Sequence, residues 1–164
     1  GPAIKHVIDW YIESLGDITL ENNIISIQIA LEALSYIILV EKEGLLDDEQ
    51  FDQNNASKNI KLVLNACNIP HGSDELELFD DWIRGKFDDG VDLVIYFRNK
   101  IVHPVRKDNR ANLTVEDMWN IIQIGTKYIE LIVLSFIGYK GEYSNRLKER
   151  WFGEVEVVPW NKLD

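Results

Sequence analysis

The sequence predicts an all-α domain: an up-and-down bundle of four to five main helices with a short irregular or hairpin arm at its C-terminus. Three observations carry that prediction. Apolar residues recur at helical spacing along most of the chain. Proline falls only at positions 2, 70, 104 and 159, leaving long intervals free of breakers. Hydrophobic residues make up 46% of 164 residues, enough for one buried core and too short a chain for two.

Each element follows from its own pattern. Over residues 4–15, Ile4, Val7, Ile8, Tyr11, Ile12 and Leu15 share one helical face, and Gly16 supplies a stop. Over 19–43, Thr19 caps, Gly44 follows, and nearly every face is apolar, so this helix is expected at the centre or shared with a partner. Its 24–40 segment is the candidate membrane span. It is shorter than a bilayer-crossing run and carries Gln28 and Glu32, so a buried soluble helix is expected instead.

An acidic loop over 45–49 leads to a third helix over 51–68, with Ile60, Val63, Leu64 and Cys67 on one stripe before Pro70. Residues 73–92 read as a short, solvated acidic helix capped by Ser73 and broken at Gly85 or Gly90. Leu76, Phe79, Trp82 and Ile83 keep helical spacing within it. A fourth major helix over 91–102 turns Val91, Val94, Ile95 and Val102 inward, and ends because Pro104 disfavours helical geometry at His103. The last helix runs from the Thr114 cap to about 137, with Met118, Trp119, Ile122, Ile129, Ile132, Val133 and Phe136 inward. From Tyr139 the pattern alternates, and an arm is expected to pack through Trp151 and Trp160.

Domain organisation is read from the same pattern: residues 1–2 as the remnant of a cleaved tag, 3–138 as the bundle and 139–164 as the arm. The chain reads as a domain cut from a longer protein with an upstream regulatory domain. Lys5, His6, Asp9 and Glu13 interrupt the first apolar stretch, which is no signal peptide. A single cysteine, Cys67, excludes an internal disulfide and a cysteine-rich zinc site, and fits a cytoplasmic setting.

Charge and motifs narrow the function. With 28 acidic against 17 basic residues the net charge is −11, which argues against coating nucleic acid by bulk charge and leaves room for a local basic patch. Phosphate loops, dinucleotide fingerprints, paired metal-ligating histidines and nucleophile elbows are absent, so no cofactor is expected. The carboxylates over 74–92 scatter around a helix, and no metal site is expected there. His71 reads as solvent-facing in a polar turn, and Arg146, Lys148 and Arg150 as a solvated arm.

The informative stretch is Arg98-Asn99-Lys100-Ile101-Val102-His103-Pro104, at the end of the fourth major helix. Asn follows Arg directly, an apolar pair precedes His, and Pro follows it. Val94, Ile95, Tyr96 and Phe97 run ahead of the Arg, and a long helix comes after the loop. This resembles the HEPN family, helical bundles whose signature is an Arg, about four to six residues and a His, commonly with a polar residue after the Arg. The tail with Tyr139, Gly141, Tyr143 and Trp151 is similar to the segment after the bundle in the HEPN domains of ApeA-like anti-phage proteins. The resemblance implies a dimeric, metal-independent endoribonuclease of anti-phage defence or a toxin system. Arg98, Asn99 and His103 are then its catalytic residues and RNA its substrate.

The chemistry is consistent with that implication. Histidine moves protons near neutral pH, so His103 is the acid-base candidate. Arg98 suits a scissile phosphate through paired hydrogen bonds, and Asn99 would orient either neighbour. Lys100, Arg106, Lys107 and Arg110 complete a basic patch for RNA. Five residues of ideal helix set Arg98 and His103 roughly 140° apart. Either the helix loosens before Pro104 or a partner subunit completes the site. Tyr96 and Phe97 could stack on bases, although aromatics at helical positions are more often core. The competing expectation is a non-catalytic dimerisation or regulatory module, in which Arg98 pairs with a carboxylate and His103 bonds the last carbonyls of its helix.

Overall fold

One long helix organises the molecule. The computed structural model describes residues 2–14, 16, 19–103, 113–148 and 153–162. Thr19 accepts the Asn22 amide at 3.3 Å and starts α2, Leu20–Tyr36. The helix continues as a π-helical segment, Ile37–Lys42, where Glu43 N–H reaches back five residues to the Ile38 carbonyl at 2.9 Å. Gly44 then turns the chain with φ +59°. α2 packs against α1 (Pro2–Ser14), α4 (Ala56–Ala66), α6 (Gly90–Val102) and α7 (Val115–Phe136). Two short helices, α3 (Asp48–Gln53) and α5 (Asp81–Lys86), lie between these five main ones.

The predicted architecture is therefore present: mostly helical, with five main helices and a small C-terminal hairpin. β1 (Glu142–Tyr143) and β2 (Glu156–Val157) pair antiparallel, with Glu142 opposite Val157 and Tyr143 opposite Glu156. Trp160 fastens the arm by donating its indole N–H to the Tyr139 carbonyl at 2.7 Å. Trp151 lies outside the described residues.

Leu20–Lys42 is 23 residues long and apolar enough to cross a membrane by length and composition, so shortness does not exclude a span here. Two thirds of its apolar window is nonetheless buried inside the bundle. Ile24, Ile27, Leu31 and Leu34 are solvent-free and meet Ile60, Leu64, Ile121, Tyr128 and Ile132 in the core. Gly125 of α7 faces Ile27 so closely that a Cβ there would run into the Ile27 Cγ2 methyl.

Several expected details differ. The third helix is broken in two, because Asp47 and Gln50 form a capping box that starts α3 early and Asn55 caps Lys58 N–H to restart the chain as α4. The expected acidic loop thus contributes Asp48 and Glu49 to a helix. Ser73 caps nothing: it begins a 3-10 turn, Ser73–Leu76, and Asp80 caps α5 instead. Gly85 sits inside α5 and Gly90 opens α6 rather than breaking a helix. Ile8, Ile12, Val102 and Trp119 are exposed rather than inward, because α1, α6 and α7 each meet the bundle along a narrower stripe than their apolar residues span. Leu93, Ile121, Ile124, Tyr128 and Leu131 fill the core in their stead.

Candidate functional site

α6 carries the Arg-His motif at its C-terminal end. Arg98 is half-buried; its Nη1 donates to Asn99 Oδ1 at 3.1 Å, and its Nε is shielded from solvent without a partner among the described residues. Asn99 and His103 are exposed. The His103 amide still donates to the Asn99 carbonyl at 3.0 Å, and the backbone leaves helical geometry only at His103, with φ −120° and ψ 65°. The helix therefore does not loosen between the two residues. On the helical wheel Asn99 lies about 100° from Arg98 and about 40° from His103. Arg98 and His103 thus flank an outward crest formed by Asn99, and the Arg98–Asn99 bond draws the guanidinium toward that crest.

His103 shares its side of α6 with Lys100 and Tyr96, at i, i+4 and i+7. Lys100 Nζ lies 5.3 Å from the Tyr96 ring centroid. Phe97 is core, at 3% exposure, while Tyr96 is half-buried and packs edge-on against Phe97 and Phe87 at 5.0 and 5.1 Å. Arg106, Lys107 and Arg110, with Pro104, lie outside the described residues.

The opposite end of α6 holds a polar network the sequence did not reveal. Asp89 caps the helix through the Asp92 amide, and its other oxygen receives Lys61 at 3.2 Å and His71 Nδ1 at 2.9 Å. His71 Nε2 meets Asn65 Oδ1 at 3.1 Å, so His71 is engaged and mostly enclosed rather than solvent-facing. Asp92 takes Lys61 at 2.7 Å and the Ser57 hydroxyl at 2.6 Å. Burial pushes the Asp92 carboxyl up, but these two bonds outweigh it and hold it below the usual range.

Glu75 is buried, receives Lys127 at 3.3 Å, the Gly90 amide at 3.3 Å and the Tyr128 hydroxyl. Burial, then the Glu75 charge, drives the Tyr128 phenol well above its ordinary range. A side chain at Gly90 would strike Ile124 and crowd both Glu75 and Tyr128. The acidic stretch is thus partly an inward, paired framework that seats α6. Among the described residues no group of three or more His, Cys, Asp or Glu is placed to share a metal ion.

Comparison with known proteins places the chain. Residues 1–157 match the model of the YopA C-terminal domain family. The chain belongs to that family. It is also similar to the SPbeta prophage-derived uncharacterized protein YopA of Bacillus subtilis (strain 168), with 34% identity over 164 residues. The match covers 99% of this chain and 36% of that protein, so the chain spans about a third of its relative's length. No solved structure matches.

In this YopA C-terminal domain the arm is locked to the bundle by charge. Arg146 grips Glu130 of α7 through Nε at 2.8 Å and Nη2 at 2.6 Å, and Tyr11 of α1 donates to the same carboxylate at 2.6 Å. The Glu130 hydrogen bond holds the guanidinium above its ordinary range despite burial. Lys148 pairs with Glu156 at 2.7 Å. These two cations are therefore structural pairs rather than a solvated arm, and Arg150 lies outside the described residues. An apolar groove of about 620 Å³ opens between α1, α7 and the arm, lined by Val7, Tyr11, Ile129 and Val133. Cys67 is buried and burial raises its thiol, as suits a small apolar side chain.

Proposed function

We propose that this domain is a metal-independent endoribonuclease working as a cytoplasmic homodimer, with Arg98, Asn99 and His103 as its catalytic residues. The observation that carries the reading is the exposed crest at the end of α6, where Asn99 draws the Arg98 guanidinium toward the crest from one side and His103 stands on the other. In the reaction His103 takes the proton of an RNA 2′-hydroxyl, and that oxygen attacks the adjacent phosphorus. The 5′ oxygen of the next nucleotide leaves and takes a proton from the His103 imidazolium, which returns the ring to its neutral form. The ends are a 2′,3′-cyclic phosphate and a 5′-hydroxyl. Arg98 neutralises charge developing on the phosphate oxygens, and Asn99 keeps it aimed.

Lys100, with Arg106, Lys107 and Arg110, supplies the local positive field an acidic domain needs to hold RNA. Because α6 remains regular, a second copy related by a twofold axis is the route by which an Arg of one chain meets a His of the other. Exposed Val102, Val115 and Trp119 at the adjoining ends of α6 and α7 support a partner surface there. The prophage origin in the relative's name supports a role in anti-phage defence or a toxin system, and its greater length supports an upstream regulatory domain.

The test is incubation of the purified protein with end-labelled single-stranded RNA and tRNA in the presence of chelator. His103→Ala prepared identically runs alongside. Cuts with cyclic phosphate ends that vanish in His103→Ala are expected; cuts that persist in the variant would overturn the assignment. The same exposed apolar residues favour a second reading, a non-catalytic dimer module, in which no RNA is cut and Val102→Ser dissociates the dimer.

A further inference from the structure

One cluster of an exposed Trp, two half-buried rings and an exposed cation adjoins the motif without belonging to it. Trp82 and Lys86 stand one turn apart on α5, and Lys86 Nζ lies 4.7 Å from the Trp82 ring and 4.3 Å from the Tyr96 ring. Lys86 also donates to the Tyr96 hydroxyl at 3.0 Å and sits 5.8 Å from Phe87. Among the described residues no carboxylate pairs with it. Asp80 caps α5 through the Ile83 amide, and Asp81 holds Arg84. The ammonium is thus held by three rings and a phenol oxygen. Trp82 is 42% exposed, which leaves part of its ring open to solvent.

Tyr96 joins this cluster to the motif. It stands just ahead of the motif on the same side of α6, and the Tyr96, Lys100, His103 row has about 10 Å of rise from the first to the last. That distance suits a few nucleotides of extended backbone. Duplex RNA presents its bases stacked and closed, whereas a single strand presents free faces to aromatic rings.

We propose that Trp82, Lys86 and Tyr96 form a subsite for single-stranded RNA, with an unpaired base against Trp82 and its phosphate on Lys86. The strand then runs along Lys100 to His103. The subsite deepens the ribonuclease reading and rests on it only for that direction; binding is a separate property from cleavage.

The probe is a fluorescent 2′-O-methyl RNA of about 12 nucleotides, which the domain holds without cutting because the attacking oxygen is blocked. Affinity is read by anisotropy for this strand, for an abasic strand of the same length and for the corresponding duplex. Trp82→Ala weakens the base-bearing strand by at least about fivefold and leaves the abasic strand unchanged, as expected of lost stacking. Lys86→Gln weakens both strands and lowers the salt dependence. Both side chains are exposed, so the variants keep wild-type helix content by circular dichroism. Trp82→Ala binding within twofold of wild type, absence of binding by the wild type, or equal affinity for duplex overturns the subsite. His103→Ala separates the two readings. Cleavage lost in His103→Ala with Trp82→Ala binding intact removes the subsite and keeps the nuclease; weakened Trp82→Ala binding with no cleavage by wild type keeps the subsite and removes the nuclease.

Discussion

Glu156 is the acid-sensitive residue of the arm. Burial alone would raise its carboxyl, yet Lys148, Tyr143 and Asn145 outweigh burial and bring it to about 2. The unfolded value is about 4.3, so its stabilisation is complete above that pH and is lost as pH falls through about 2. Glu156→Gln is therefore expected to lower Tm at about pH 6, and the gap from wild type should close toward about pH 2. A gap independent of pH would contradict this account. In the core, Tyr128 donates to a carboxylate that is almost wholly buried. Tyr128→Phe should cost about 1–3 kcal/mol in urea unfolding, the penalty for under-satisfying a buried acceptor. His71 and Glu75 were the residues least legible beforehand. A lone His in a polar turn and one Glu among many carry no signal of burial until Lys61, Asp89, Lys127 and Tyr128 arrive from other elements.

Helix ends were readable where the local code is strong. Thr114 opens α7 with a capping box to Asp117, and Thr19 opens α2, both as their position before an apolar run predicts. Asn55, Asp80 and Asp89 were missed because Asn and Asp are common in this acidic chain and only the folded backbone selects which of them cap. Asn55→Ala should cost about 1 kcal/mol by removing the acceptor for Lys58 N–H. The α2 and α7 contact is steeper. Gly125→Ala should destabilise by about 1–3 kcal/mol in urea melts, because its methyl group enters the space of Ile27. In an Ile27→Ala background the same substitution should cost much less, since the obstructing methyls are gone. Equal costs in both backgrounds would show that Ile27 is not what excludes a side chain there.

For the proposed nuclease, the whole molecule matters most, because it decides how Arg98 and His103 would share a site. A regular α6 sets them on either side of Asn99, so a site built across two chains makes a quantitative prediction. Mixing inactive Arg98→Ala with inactive His103→Ala after subunit exchange should restore roughly a quarter of wild-type cleavage. Random pairing makes half the dimers mixed, each with one of two sites intact. No restoration, with exchange confirmed by mass, would place Arg98 and His103 of one chain together in each site. The same scale explains the 23-residue apolar helix: its faces are covered by four neighbours, which hydropathy along the chain does not register.

Composition and periodicity were sufficient to specify a single helical bundle, its central helix, the cap residues before the longest runs and the Arg98, Asn99, His103 motif, because those signals are local. Which Asn and Asp act as caps decided that 51–68 splits in two, and packing decided that Ile8, Ile12, Val102 and Trp119 face out. It also turned part of the acidic stretch inward as the support of α6. The reason is physical. A helix declares which residues could be buried, whereas the stripe actually buried and the cations that the inward carboxylates find depend on side chains brought from other elements.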